Sequence, residues 1–226
     1  MKREFSDPGA IACMRKDWVV AGSGSPRQRH SAEDRRREIL DAAVRLFSER
    51  GYRSTGIIAL AAEVGITHSG LLHHFGTKEA ILHAVANERV GRDTAMYTEV
   101  FKDGGRRAIA RLPELGRHFL SDPMRTRMFS VLVAESLGES DPLHDYFVNR
   151  FQMGRTLLQF MLTTGIQRGE FHADIDPVLI AGEMQAFASG LETQWFLDRD
   201  DDRFMRTYEA YSAALASRIC IPFVEG

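Results

Sequence analysis

RREILDAAVRLFSERGYRSTGIIALAAEVGITHSGLLHHFGTKEAILHAVAN, residues 36–87, reads as four short helices separated by turns. The first carries Ile39, Leu40, Ala43, Val44, Leu46 and Phe47, so apolar side chains recur at helical spacing along one face. Arg50-Gly51 ends it, because glycine accepts the left-handed backbone just past a helix end. Ser54 or Thr55 can cap a second helix bearing Ile57, Leu60, Ala61 and Val64, which Gly65 breaks. Ile66 fills the corner, and Thr67 caps a third helix through Leu71, Leu72 and His74, closed by Gly76. Thr77 caps a fourth, beginning at Lys78. Two short helices joined by a tight glycine-containing turn follow the pattern of a helix-turn-helix.

The same run resembles the N-terminal domain of TetR-type (tetracycline-repressor-like) regulators. The resemblance is carried by IL-DAA-x-x-LF-x-ERGY from Ile39 to Tyr52, Thr55, Ile57, Leu60-Ala61, Gly65-Ile66-Thr67, His74-Phe75, Lys78-Glu79 and Ile81-Leu82. It implies an all-α chain. A three-helix helix-turn-helix DNA-binding domain comes first, and a helical bundle for ligand binding and dimerisation follows. Two positions depart from the family pattern. Leu72 stands where the family usually has Tyr, and Gly56 where a second Thr or Ser is common. In the family those hydroxyls touch DNA phosphates.

Composition agrees with a folded domain. The chain has 226 residues, 44% hydrophobic and 27% charged, ample for a core. No run approaches the roughly 18 apolar residues of a membrane span. No basic-then-apolar leader opens the chain, so the expected compartment is the cytoplasm. Cys13 and Cys220 lie at opposite ends without metal or disulfide spacing, and read as reduced thiols. Net charge is −2, but its distribution is uneven. Residues 27–78 hold nine Arg or Lys against six Asp or Glu, whereas residues 79–226 hold sixteen against twenty-two. A basic head on an acidic body offers one end to a polyanion.

Three segments follow. Residues 1–30, with Pro8, Gly22, Gly24, Ser25 and Pro26, read as a flexible arm. Arg27, Arg29 and His30 stand just before the first helix, within reach of phosphate or a minor groove, or as a solvated tail. Met14 is a second candidate start. Residues 31–78 form the DNA-binding head and 79–226 the bundle. There the fourth helix runs to about Val100, Asp103-Gly104-Gly105 is a loop, and a fifth helix covers roughly 111–120, disturbed by Pro113. Asp122-Pro123, Asp141-Pro142 and Asp176-Pro177 repeat one device, an Asp cap before a Pro in the first helical position. They predict helices over 123–137, 142–168 and 177–197, with a last helix over 202–219. Nothing reads as strand.

A short helix in a major groove presents its first residues to base edges. Those residues are Thr67, His68 and Ser69, with Leu71 or His73 next. Phosphate contacts fall to Ser54, Thr55, His73 and Lys78, with the backbone amides of the fourth helix's first turn. His68, His73, His74 and His83 lack metal spacing: the first two are five apart, and adjacent His73 and His74 diverge. No metal or other cofactor is expected.

The last two long helices carry apolar stripes. Ile180, Met184, Phe187, Leu191 and Trp195 form one; Phe204, Tyr208, Tyr211, Leu215 and Ile219 form the other. Such stripes are most often intramolecular core, but the resemblance implies a homodimer joined through these helices, its two heads on a palindromic double-stranded DNA operator. An excess of Phe and Met suggests an adaptable apolar cavity for a hydrophobic small-molecule effector. Its expected lining is His118, Phe119, Met128, Phe129, Leu132, Phe151, Phe160, Met161 and Met184, with Glu135, Gln159 and Gln185 as further polar candidates. In the resembled family, ligand shifts the fourth helix and separates the heads. The reading is therefore a ligand-released transcriptional repressor. The alternative is a helical small-molecule-binding protein or enzyme with an incidental basic head. Against catalysis, the chain has no phosphate-cradling Gly-rich loop with Lys, no HExxH, no nucleophile elbow and no CxxC.

Overall fold

The computed structural model describes residues 26–222, with the side chains of 32–88 and 91–222. These residues form nine helices: α1 Pro26–Arg50, α2 Ile57–Val64, α3 His68–Phe75, α4 Lys78–Phe101, α5 Gly105–Ser121, α6 Pro123–Glu135, α7 His144–Gln167, α8 Pro177–Asp198 and α9 Asp201–Ile219. The β pairing among the described residues is one isolated bridge, Phe171 to Cys220. The chain divides after Arg35, and the unit from Arg36 onward carries the clusters and sites described below.

Three boundaries differ from the sequence reading. The arm expected to end at residue 30 is already helical from Pro26, a residue suited to the first helical position. Arg27, Arg29 and His30 therefore lie in α1 and not before it. The remainder of the expected arm, with Cys13 and Met14, lies outside the described residues. Helix α5 begins at Gly105 because Glu170 Oε2 accepts from the Arg106 N–H at 2.7 Å, satisfying a first-turn donor; Pro113 is then accommodated inside the helix. Helix α7 begins two residues late because Asp141 is not its cap. That carboxylate accepts from the Ser136 hydroxyl at 2.8 Å, the Leu143 N–H at 3.0 Å and Arg53 at 3.2 Å. Asp122 and Asp176 do cap, accepting from the Arg125 and Val178 N–H groups at 3.2 and 2.8 Å.

Asp141 sets an acid limit on this joint. Burial pushes its carboxyl up, but Leu143, Ser136 and Arg53 together hold it below the ordinary carboxylate range. A carboxyl lowered on folding stabilises the native state above its unfolded pKa, and that stability is lost as pH falls through the lowered value. Asp141→Asn should thus be less stable than the parent at neutral pH. The two should converge as pH drops below about 4. Urea titrations at neutral and acid pH check both halves.

Two apolar clusters hold the structure. One contains Ile39, Phe47, Leu60, Leu71, Phe75 and Ile81 of α1–α4, completed by Met128 and Leu132 of α6 and by Leu143 and Phe147 at the start of α7. The three-helix head is therefore built onto α6. Polar contacts reinforce this: Arg125 donates to Asp41 of α1 at 2.8 Å, and Glu135 at the other end of α6 accepts from the Tyr52 N–H at 2.7 Å.

The second cluster joins α4, α5, α7, α8 and α9. It corrects the expected dimer face. Met184, Leu191, Trp195, Phe204, Tyr208, Leu215 and Ile219 are buried within the subunit, and Ile180, Phe187 and Tyr211 pack partly buried against them. A straight apolar stripe is what each helix needs to join its own bundle.

Candidate nucleic-acid interface

Helix α2 ends at Gly65 with φ 69°, where the Gly65 and Ile66 N–H groups donate to the Ala62 and Ala61 carbonyls. The chain turns through Ile66 into Thr67, whose hydroxyl oxygen accepts from the Gly70 N–H at 3.1 Å. That cap starts α3. Leu71 and Phe75 then point inward, 0% and 8% exposed, and hold the helix to the core. Thr67, His68, Ser69 and His73 are exposed. Ser69 and His73 are one turn apart and share a face. Four of the five expected base-reading candidates thus lie together on the outer side of α3. Leu71 does not: its spacing belongs to the core stripe, so it is removed from the DNA-contact set. Leu72, at the position of the family's Tyr, is half-buried.

The expected phosphate contacts divide. Ser54 is exposed between α1 and α2, and His73 is exposed on α3. Thr55 is 1% exposed, and its hydroxyl is directed at the Gly51 carbonyl, 2.7 Å away, and the Leu46 carbonyl. It finishes α1 where the sequence suggested a cap for α2, and it is withdrawn from the site. The N-cap of α2 is Gly56, which covers the first amides with no side chain. Those amides and the partial positive charge of the helix start remain for an anion.

Lys78 is half-buried. Its ammonium donates to the Tyr52 carbonyl at 2.6 Å and lies 3.9 Å from the Tyr52 ring centroid. Burial lowers its pKa against the opposing pull of Glu79 and Glu135. The Tyr52 hydroxyl donates to Glu79 at 3.1 Å. The start of α4 is therefore tied to the α1–α2 turn, which fixes the Lys78 charge near the head and leaves further ammonium hydrogens for phosphate.

Two contributions had no signal in the sequence. Arg36 donates to the His74 carbonyl at 2.7 Å and sits 4.0 Å over the Phe75 ring, securing the end of α3. Glu135, expected near the effector cavity, instead accepts from Tyr52 N–H and, at 3.4 Å, Arg53 N–H, while Arg53 reaches back to the Glu135 carbonyl at 3.3 Å. The partners lie more than 80 residues apart in the chain.

The bundle contains a cavity of about 130 Å³ walled by α4–α9. Phe129, Phe151 and Met184 line it as expected, together with Gln185. The other expected residues do not. Phe119 and Met161 are sealed in the body's core, and Met128 and Leu132 in the head's. Phe160 is 58% exposed on the outer side of α7, and Gln159 is not part of the wall. His118 stands behind the wall, its Nε2 3.0 Å from Asp93 Oδ1. Tyr97, Phe101, Arg150, Phe187, Tyr208 and Tyr211 line the cavity unforeseen. Among the described residues, no three His, Cys, Asp or Glu side chains gather to hold a metal, and no helix is long and apolar enough to cross a membrane.

Residues 39–85 match the family model described as bacterial regulatory proteins, tetR family. The chain is 28% identical over 142 residues to the HTH-type transcriptional repressor AcnR of Corynebacterium glutamicum, covering 62% of this chain and 70% of that one. It is 27% identical over 151 residues to the HTH-type transcriptional repressor KstR2 of Mycobacterium tuberculosis, covering 65% and 74%. Among solved structures, the ketosteroid transcriptional regulator KstR2 of Mycobacterium tuberculosis superposes with a TM-score of 0.66 at 21% identity, over 90% of this chain and 100% of that one. A TetR transcriptional regulator from Chloroflexus aurantiacus gives a TM-score of 0.74 at 18% identity, over 85% and 100%. The structural likenesses speak to the fold.

Proposed function

Because the chain belongs to the TetR family of bacterial regulatory proteins, and so is a DNA-binding transcriptional regulator, we propose that it acts as a homodimeric repressor of a palindromic operator. Thr67, His68, Ser69 and His73 meet base edges. Ser54, Lys78, the open amides of α2 and the first-turn backbone of α4 meet phosphates. One observation carries this reading: the polar first turn of α3 faces outward while Leu71 and Phe75 anchor the helix from behind. The repressing sense follows the similar AcnR and KstR2. A molecule entering the α4–α9 cavity releases the operator, with a coupling of about 1–3 kcal/mol.

Retardation of DNA taken from upstream of its own coding region tests the reading. Binding should be sequence-specific and weaken steeply with salt as counterions are released. Equal retardation of any DNA counts against it.

The second copy has a face to meet. Leu179, Ala186, Gly190, Thr193 and Leu197 follow helical spacing along the exposed side of α8, with the two leucines 71% and 84% exposed. Ala210, Ala213, Ala214 and Ser217 form an exposed small-residue side on α9. Small side chains let two helices approach closely, and a two-fold axis pairs each patch with itself. Ala186→Glu sets like charges face to face there. It should convert the dimer to monomer in sedimentation velocity and weaken operator binding, with helix content unchanged.

A further inference from the structure

The hydrogen-bonding groups on the cavity wall are unevenly used. Arg150 of α7 donates through Nη2 to Asp93 Oδ2 at 3.3 Å. Its Nε is buried without an acceptor, and no acceptor among the described residues meets Nη1. Asp93 has both oxygens engaged, one by Arg150 and one by His118. The amide of Gln185 is engaged at both ends, accepting from Arg155 at 3.1 Å and donating to the Phe151 carbonyl at 3.2 Å. Tyr208 of α9 is 6% exposed, its ring packed against Phe187 and Phe204. No hydrogen-bond partner among the described residues meets its hydroxyl. Burial, with Tyr97, Glu192 and Tyr211 nearby, raises the phenol's pKa and keeps it a neutral donor.

At Tyr208 and the Arg150 guanidinium the wall has donor capacity left to offer. An ammonium ligand brings only donors and leaves the Arg150 Nε–H and the Tyr208 O–H without an acceptor. A carboxylate ligand supplies acceptors but adds negative charge to a wall where Asp93 and Glu192 already outnumber Arg150. An uncharged acceptor meets neither objection.

We propose that the α4–α9 cavity selects a neutral, largely apolar molecule bearing a carbonyl oxygen of the ketone or ester class, which accepts from Tyr208 and Arg150. This rests on the reading of the cavity as the effector site. Calorimetric titration of the full chain with four probes sharing one skeleton tests it: methyl naphthyl ketone, naphthoate, naphthylmethylammonium and ethylnaphthalene. The ketone should bind about tenfold more tightly than ethylnaphthalene, the increment of one good hydrogen bond. Tyr208→Phe should remove most of that advantage, with circular dichroism confirming the fold. Tighter binding of naphthoate or the ammonium, or a ketone advantage that survives Tyr208→Phe, overturns the proposed class while the cavity reading stands. Failure of all four to bind, ethylnaphthalene included, overturns both.

Discussion

Leu71→Ala should lower the free energy of unfolding by about 2–5 kcal/mol, the usual cost of emptying a fully buried leucine site. Leu71 is 0% exposed and shares its cluster with Ile39, Phe47, Leu60 and Phe75. Molecules that remain folded should rank operator sequences as the parent does, because this side chain is buried in the head's core. His68→Ala, three residues earlier and exposed, should do the reverse. It should change preference by about 1–3 kcal/mol at the base pair it meets and leave thermal unfolding nearly unmoved. Urea denaturation and binding to single-base operator variants separate the two effects. If Leu71→Ala reorders operator preference without loss of stability, α3 presents its other side to DNA.

Gly51→Ala should cost about 2–5 kcal/mol through two combined causes. Gly51 holds φ at +79°, which strains any residue with a Cβ, and an added Cβ would lie 2.3 Å from Glu135 Oε1. The carboxylate must then leave the Tyr52 and Arg53 N–H groups, which it meets at 2.7 and 3.4 Å. Glu135→Ala removes the same two acceptors without strain and should cost about 1–3 kcal/mol. With Glu135 already gone, the alanine at 51 has nothing to displace. The double variant should therefore be less destabilised than the sum, by more than about 0.5 kcal/mol. Chemical denaturation of the four proteins measures this coupling. Simple additivity would mean that α6 does not grip the α1–α2 turn.

The parts legible in the sequence are those decided within a few residues. Thr67, Thr77, Asp122 and Asp176 cap helices by accepting from N–H groups two or three positions ahead, and the sequence shows each pairing directly. The helix-turn-helix and its exposed His68 and Ser69 follow from the same local rules. Periodicity also identified the apolar sides of α8 and α9, but it could not show what covers them. For that reason Trp195, Phe204 and Leu215 looked available to a second subunit when they are the bundle's own interior. Thr55 was misread because its hydroxyl could serve the helix behind it as readily as the one ahead. The cavity was the least legible feature. Tyr97, Arg150 and Tyr208 come from three helices far apart in the chain, and their convergence depends on how each helix is rotated. Each residue along a helix turns the side chain about 100° around its axis, so the two steps from Leu158 to Phe160 are enough to place the first inside and the second outside.

Helix α6 joins the head's cluster to the cavity wall. Phe129 faces the cavity, and its chain neighbour Met128 is sealed among the side chains of the DNA-reading head. Any guest that rolls α6 by pressing on Phe129 swings Met128 in the same stroke, and Arg125 and Glu135 drag α1 and its following turn along. On the proposed reading the linkage works like a gear tooth in mesh, with α6 carrying a push at the cavity to the head.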